Sequence, residues 1–404
     1  EPVIVRQTNA LPTEVVVHLH GAHAPAPSDG FPTDFIFPGG SRDYCYPNFA
    51  PDGDVGEAMS TAWYHDHAMD ITGRNVYAGL AAFYLLFDDL EEELIADGRL
   101  PGHDFDVPVV LQDRTLNADG TLHFNPFEID GFLGDLMVAN GKVQPRFTVQ
   151  RRKYRFRFLN GANARMFMLR LSNGAPFLQV ATDSWLLPFA IEQRRVLLGM
   201  AERADLVIDF RNAPDEVFLE NILVQDDGRG PDGDREDPEV RIPGVPLVKF
   251  VVEGPNVADD ATTAPGDLLR PHTPIDPRSV VRTRRFEYER RGGEWVINDR
   301  LFDPERADAS PRLGEVERWI LENGGGGWWH PVHIHLEAMH VQRINGRLPP
   351  AFERFNKDTI NLGPNDVAEV LIRFRDFPGR YVQHCHNIEH EDHRMMSRFD
   401  VVLP

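Results

Sequence analysis

The sequence predicts an all-β protein built as three sandwich-like domains, and three observations carry that reading. Short apolar or alternating runs recur along the whole chain: "TEVVVHLH", "AAFYLLF", "VPVVLQD", "YRFRFLN", "ADLVIDF", "PLVKFVV", "AEVLIRF" and "GRYVQHC". Gly, Pro, Asn and Asp separate them, which is the punctuation of turns between short strands. Helical periodicity is scarce, which favours sandwiches or barrels over a parallel α/β fold. At 404 residues the chain is long enough for two or three cores.

Taken in chain order, the runs up to "AAFYLLF" form a first unit. It ends at the clearest helix, "DDLEEELIADG" over 88–98, which closes on a glycine as a helix should. "RLPGHD" then leads into a second unit that spans "VPVVLQD" to "PLVKFVV". Inside it, "DDGRGPDGDREDPE" over 226–239 reads as a solvated, charged coil. A Pro-rich, acidic, strand-poor stretch over 255–276 joins the second unit to the third. The expected domains are therefore 1–98, 99–260 and 261–404.

Composition removes several function classes. Hydrophobic residues make up 42% of the chain, and no run of 18 apolar residues suggests a membrane span. The formal net charge of -21 argues against nucleic acid as a partner. The same field attracts cations, including metal ions and protonated aromatic amines. No signal peptide is visible and the chain begins with Glu1, so its N-terminus reads as processed, trimmed or incomplete. The compartment stays unfixed, with a periplasmic or extracellular one favoured.

Only two cysteines are present, and one lies in "HCHNIEHEDHRMM", where His384 and His386 flank Cys385. Cysteine, histidine and methionine together are the ligand set of a copper electron-transfer site. With Cys385 on a metal, Cys45 is left single, and a half-buried thiol is expected there.

Ten of the 16 histidines fall in four tight groups: "HLH" (His18, His20), "YHDH" (His65, His67), "HPVHIH" (His330, His333, His335) and "HCHNIEH" (His384, His386, His390). Strand side chains two apart share a face, and those an odd number apart oppose each other. His18 with His20, His65 with His67, His333 with His335, and His384 with His386 therefore project as pairs. Eight imidazoles suffice to hold three metal ions between two domains. By the same parity Cys385 and His330 point the other way, into a second site. His390 and Met395 follow in a loop that curls back to complete it. Two His, one Cys and a weak axial Met form the blue-copper arrangement.

At these residues the chain resembles the three-domain multicopper oxidases, in particular the spore-coat-type laccase, bilirubin oxidase and phenoxazinone synthase group. "HLHG…SDGFP", "WYHDHAM…NVYAGL", "HPVHIHL" and "GRYVQHCHNIEHEDHRMM" match the group's four copper motifs in order. "RKYRFRFLNGANAR" and "AERADLVIDF" match its copper-free middle domain. The resemblance implies three cupredoxin-like Greek-key β-sandwich domains, with a three-copper cluster between the first and third. It implies four copper ions: one type 1 on His330, Cys385, His390 and Met395, and one type 2 on His18 and His333. The two type 3 ions would share His20, His65, His67, His335, His384 and His386. Asp29 in "SDG" and Glu391 beside His390 become candidates for supplying protons, and Trp328 and Trp329 for the aromatic rim of a donor site.

The implied activity is laccase-like: electrons from phenols or aminophenols pass one at a time through Cys385 to reduce dioxygen to water. The alternatives are a metallo-oxidase acting on Cu(I), Mn(II) or Fe(II), and a bilirubin-oxidase-like activity. The nine scattered methionines do not form the Met-rich segment of copper-resistance oxidases. The expected partners are a small aromatic reductant and dioxygen, with no nucleic acid and no membrane span; the oligomeric state is unknown. Two departures from the family pattern stand out. Only 17 residues precede His18, so opening strands of the first domain are expected to be absent or replaced. Asn387 takes a position where an apolar residue is common, and is expected near the type 1 site without ligating it.

Overall fold

Alternation along the strands sorts the chain into paired sheets. In Lys153–Asn160, Tyr154, Phe156 and Phe158 enter a core while Arg155 and Arg157 face the other way. The strand pairs antiparallel with Arg203–Asp209 and parallel with Asp106–Leu116. The computed structural model describes residues 1–257 and 260–404; Ala258 and Asp259, within the connection expected at 255–276, lie outside the described residues.

Three sandwiches follow one another. The first combines a two-stranded sheet (Val3–Thr8, Ser41–Tyr46) with a three-stranded one (Val17–His20, Thr61–Asp66, Ala81–Leu85). The second packs a five-stranded sheet on an eight-stranded one, and the third a six-stranded sheet on a five-stranded one. Each has its own apolar core: Leu19, Ile36 and Tyr44 in the first, Phe156, Leu206 and Phe250 in the second, Trp319, Val370 and Phe399 in the third. Of the short segment before His18, Val3–Thr8 supplies one edge strand, and the first core is much the smallest. Among the described residues no helix is long and apolar enough to cross a membrane.

The expected acidic helix is present as Asp89–Ala96, with the Asp88 carboxylate accepting the Glu91 backbone N–H at 3.0 Å and Gly98 turning at φ 66°. Glu91 meets the outward-facing guanidiniums of the middle sandwich, 2.6 Å from Arg155 and 3.0 Å from Arg157. All three are buried, so this ion cluster ties the helix that closes the first unit to the second.

Two expectations are corrected. The stretch 226–239 is not simple coil: Gly233–Asp234 pairs with Asp237–Pro238, and Arg235 reaches into the third sandwich, 2.5 Å from Glu353. An acidic recess of Glu353 and Asp366 draws that one cation out of solvent. Cys45 is exposed, not half-buried, because Tyr44 and Tyr46 take the inward positions of its strand.

Candidate metal centre

Four strands bring the histidines together. Val17–His20 lies antiparallel to Thr61–Asp66 with His18 opposite His65, and His330–Ile334 lies antiparallel to Gly379–Cys385 with His333 opposite His384. The two strand pairs belong to the first and third sandwiches, and their paired imidazoles meet between them. All eight are buried.

Their donor atoms sort into groups lying within 4.8 Å of one another: His20, His65 and His386; His67, His335 and His384; and His18 with His333 beside His20. The Nε2 atoms of His67 and His335 approach Nε2 of His384 at 3.2 and 3.3 Å, and Nε2 of His18 faces Nε2 of His333 at 3.4 Å. His20 Nδ1, His65 Nε2 and both ring nitrogens of His386 are buried with no hydrogen-bond partner. Orphaned polar atoms of this kind are costly unless something occupies the space between them. Nitrogen lone pairs converging in threes fit a cation.

The remaining ring nitrogens set the tautomers. His18, His65 and His333 donate from Nδ1 to the backbone carbonyls of Asp29 (2.5 Å), Asp66 (2.7 Å) and Asp358 (2.7 Å). His335 donates from Nδ1 to the Asp29 carboxylate at 2.7 Å. His20 is reversed: its Nε2 faces the Asp358 carboxylate at 3.1 Å and its Nδ1 is free. Glu391 places its two oxygens 3.0 Å from His384 Nδ1 and 3.3 Å from His67 Nδ1, out of line for hydrogen bonds. Burial lowers the basicity of His18, His20, His67, His333, His335 and His386, and brings His65 to about 4, so these seven are neutral and ready to ligate near pH 7. Burial, and then the nearby Asp34, pushes the Asp29 carboxyl well above its ordinary range.

The second site lies across the same strands. His330 Nδ1 and His390 Nδ1 are 3.4 and 3.5 Å from Cys385 Sγ and 3.3 Å from each other. Met395 is fully buried, and its backbone N–H donates to the His390 carbonyl while its own carbonyl accepts from Cys385. The turn thereby brings Met395 back into the buried core that also holds Cys385. His390 rides on the short helix Ile388–Asp392, capped by the Asn387 side chain, whose amide also donates to the carbonyls of Asp130 and Gly228. Asn387 is thus adjacent to the site, as expected. Burial holds the Cys385 thiol far above its ordinary range, and a bound cation would reverse that.

Several neighbours escaped the sequence reading. Trp295 stacks on His390 with ring centroids 3.7 Å apart. The Asp130 carbonyl accepts from His390 Nε2 at 3.2 Å, and its carboxylate accepts the Trp328 indole N–H at 3.2 Å. Trp328 is half-buried, whereas Trp329 is packed among Met166, Met168 and Met200 and does not reach solvent. Asp130, Trp295 and Asp358 sit outside every motif and meet the sites through tertiary contact alone.

A bilirubin oxidase from Albifimbria verrucaria is 36% identical over 421 residues, covering 99% of this chain and 70% of its own. The chain belongs to the multicopper oxidase family. Two family models described as multicopper oxidase match residues 1–90 and 272–403. A laccase from Bacillus subtilis is 33% identical over 97% of this chain and 80% of its own. Among solved structures, the McoA multicopper oxidase of Aquifex aeolicus superposes with a TM-score of 0.86 at 26% identity, covering 100% of this chain and 87% of that one. A Campylobacter jejuni multicopper oxidase described as a metallo-oxidase has a TM-score of 0.81 at 25% identity, covering 100% and 83%. The three sandwiches of this multicopper oxidase are cupredoxin-like, and the protein is a copper-dependent oxidoreductase with dioxygen as acceptor. Imidazole, thiolate and thioether are the ligand types that suit copper.

Proposed function

We propose that this multicopper oxidase works as a laccase with four copper ions, preferring phenolic and aminophenolic donors. His330, Cys385, His390 and Met395 would hold the type 1 ion, and His18 with His333 the type 2 ion. His20, His65 and His386 would hold one type 3 ion, and His67, His335 and His384 the other. Bound copper supplies one-electron redox cycling and the reduction of dioxygen.

The observation that carries this reading is the placement of three consecutive residues. Cys385 closes one donor group, while its covalent neighbours His384 and His386 each enter a different histidine triplet. The backbone thus joins the two sites. Asp29 and Glu391, buried against His335 and against His67 and His384, are positioned to hold protons beside the cluster. Trp328 offers a half-buried aromatic surface near His390. The first and third domains (1–98 and 261–404) supply every ligand, and the second (99–260) is copper-free.

Metal analysis of loaded protein should give four coppers per chain and a blue absorption band. In a steady-state panel, aminophenols and methoxyphenols should be oxidised more efficiently than Cu(I), Mn(II) or Fe(II). One or two coppers in a fully loaded, active sample would defeat the ligand assignment. A preferred metal ion would favour the second reading, metallo-oxidase, which the likeness to the Campylobacter jejuni enzyme supports.

A further inference from the structure

We infer that Arg203, on the copper-free middle sandwich, is a positioning residue for the three-copper cluster: it holds Asp358, and through it His20 and His333, in ligating orientation. The inference rests on reading those two histidines as copper ligands.

Arg203 is buried where the three sandwiches meet, and its donors are all taken. Nη1 and Nη2 donate to the two oxygens of Asp358 at 2.8 and 2.6 Å, a bidentate pair with the third sandwich. Nε donates to the Thr61 carbonyl at 3.1 Å, at the start of the strand that carries His65. Nη1 also donates to the Ala201 carbonyl, and Nη2 to Ser184 Oγ at 2.7 Å. One planar guanidinium therefore contacts all three sandwiches, a geometry that a lysine cannot reproduce.

Asp358 passes this placement to the cluster in two ways. Its carboxylate accepts from His20 Nε2, which leaves Nδ1 as the ligating atom; its backbone carbonyl accepts from His333 Nδ1, which leaves Nε2. His20 is the histidine whose free nitrogen is reversed relative to His18, His65 and His333, and this carboxylate selects that tautomer. Gly21, directly after His20, supports the same junction. It turns at φ 77°, and a Cβ there would fall on Ser184 Oγ, Arg203 Nη2 and Asp358 Oδ2. The glycine of "HLHG" is thus required by the approach of Arg203.

Without the guanidinium, Asp358 keeps a buried carboxylate with no cation to aim it, and His20 loses the partner that fixes its ring. Outer-shell contacts of this kind are worth about 10–100-fold in metal affinity. The test is an equilibrium challenge of copper-loaded protein with increasing chelator, reading copper per chain, the type 2 electron paramagnetic resonance signal and the blue band. Arg203→Gln should lose cluster copper at about 10–100-fold lower chelator concentration while the Cys385 band persists. Arg203→Lys should rescue incompletely, because it restores the charge without the fork. Should Arg203→Gln not fold, Asp358→Asn carries the same expectation. Glu91→Gln weakens another buried interdomain ion cluster that touches no histidine, and should lower the melting temperature without selective copper loss. Wild-type chelator resistance in Arg203→Gln, or loss of cluster and blue copper in step, would overturn the positioning role and leave the ligand assignment standing. A wild-type protein without cluster copper would overturn both.

Discussion

Asp29 Oδ2 lies 2.7 Å from Nδ1 of His335, and both side chains are fully sealed from solvent. A carboxyl in that position is part of the cluster wall, and Glu391 takes the corresponding place behind His67 and His384. Reducing dioxygen to water consumes protons, and Asp29 lies against His18 and His335 as Glu391 lies against His67 and His384. Asp29→Asn and Glu391→Gln change only a titratable group. Each should slow oxygen consumption, by roughly 10²-fold on the usual scale of acid–base contributions. Copper content and blue colour should be retained. Full oxygen consumption in both variants across the pH range would make the carboxylates purely structural.

Cys385→Ser tests the junction between the two sites. Serine is a poor ligand for a soft centre, so the blue band should vanish. Donor oxidation should fall to background because the covalent path to His384 and His386 begins at the sulfur. The histidine triplets do not include Cys385 and should still bind copper. A colourless variant turning over at the wild-type rate would show that electrons enter elsewhere.

Stability should depend on acid through Glu91. Burial raises its pKa, but the charges of Arg155 and Arg157 outweigh that and bring it to about 2 from 4.5. A carboxylate with a depressed folded pKa contributes stability that is present above pH 4.5 and lost as the pH falls toward 2. A shift of this size corresponds to about 3 kcal/mol, given 1.36 kcal/mol per pKa unit. Denaturant titrations from pH 6 to 2 should show the wild type losing that increment, with Glu91→Gln less stable at pH 6 and flatter in acid. Parallel curves would remove Glu91 as the source.

The sequence made the candidate ligands legible because metal chemistry confines them to few residue types and strand parity fixes their facing. Period-two alternation sends His330 and Cys385 to one side and the eight paired imidazoles to the other, and the chain after Cys385 returns His390 to the first of these on a short helix. Parity alone did not divide six of these histidines into His20, His65, His386 and His67, His335, His384; that split depends on how the first sandwich docks on the third. Asp358, Asp130, Trp295 and Arg203 were invisible for the same reason, since each acts across a tertiary interface. The exposure of Cys45 and the inward reach of Arg235 were missed where strand direction and a distant acidic recess overrode local composition.

The proposed donor surface is where the two expected tryptophans part. Trp329 is core, so Trp329→Ala should act on stability, at about 3–5 kcal/mol for a buried tryptophan, and not selectively on donor binding. Trp328 is half-buried, fixed by its N–H to Asp130, and flanked by Arg229 at 5.1 Å and Arg290 at 5.3 Å from its ring centre. Trp328→Ala should raise the Michaelis constant for aromatic donors and leave the blue band intact. The arginines are themselves paired, Arg290 with Asp130 at 3.0 Å and Arg229 with Asp227 at 3.7 Å, so the field at the surface is set largely by the net charge of -21. Rates for protonated aminophenols should therefore fall with added salt, as screening weakens their attraction. Rates that rise with salt for cationic donors, and fall for anionic ones, would mean that the two guanidiniums beside Trp328 govern the approach.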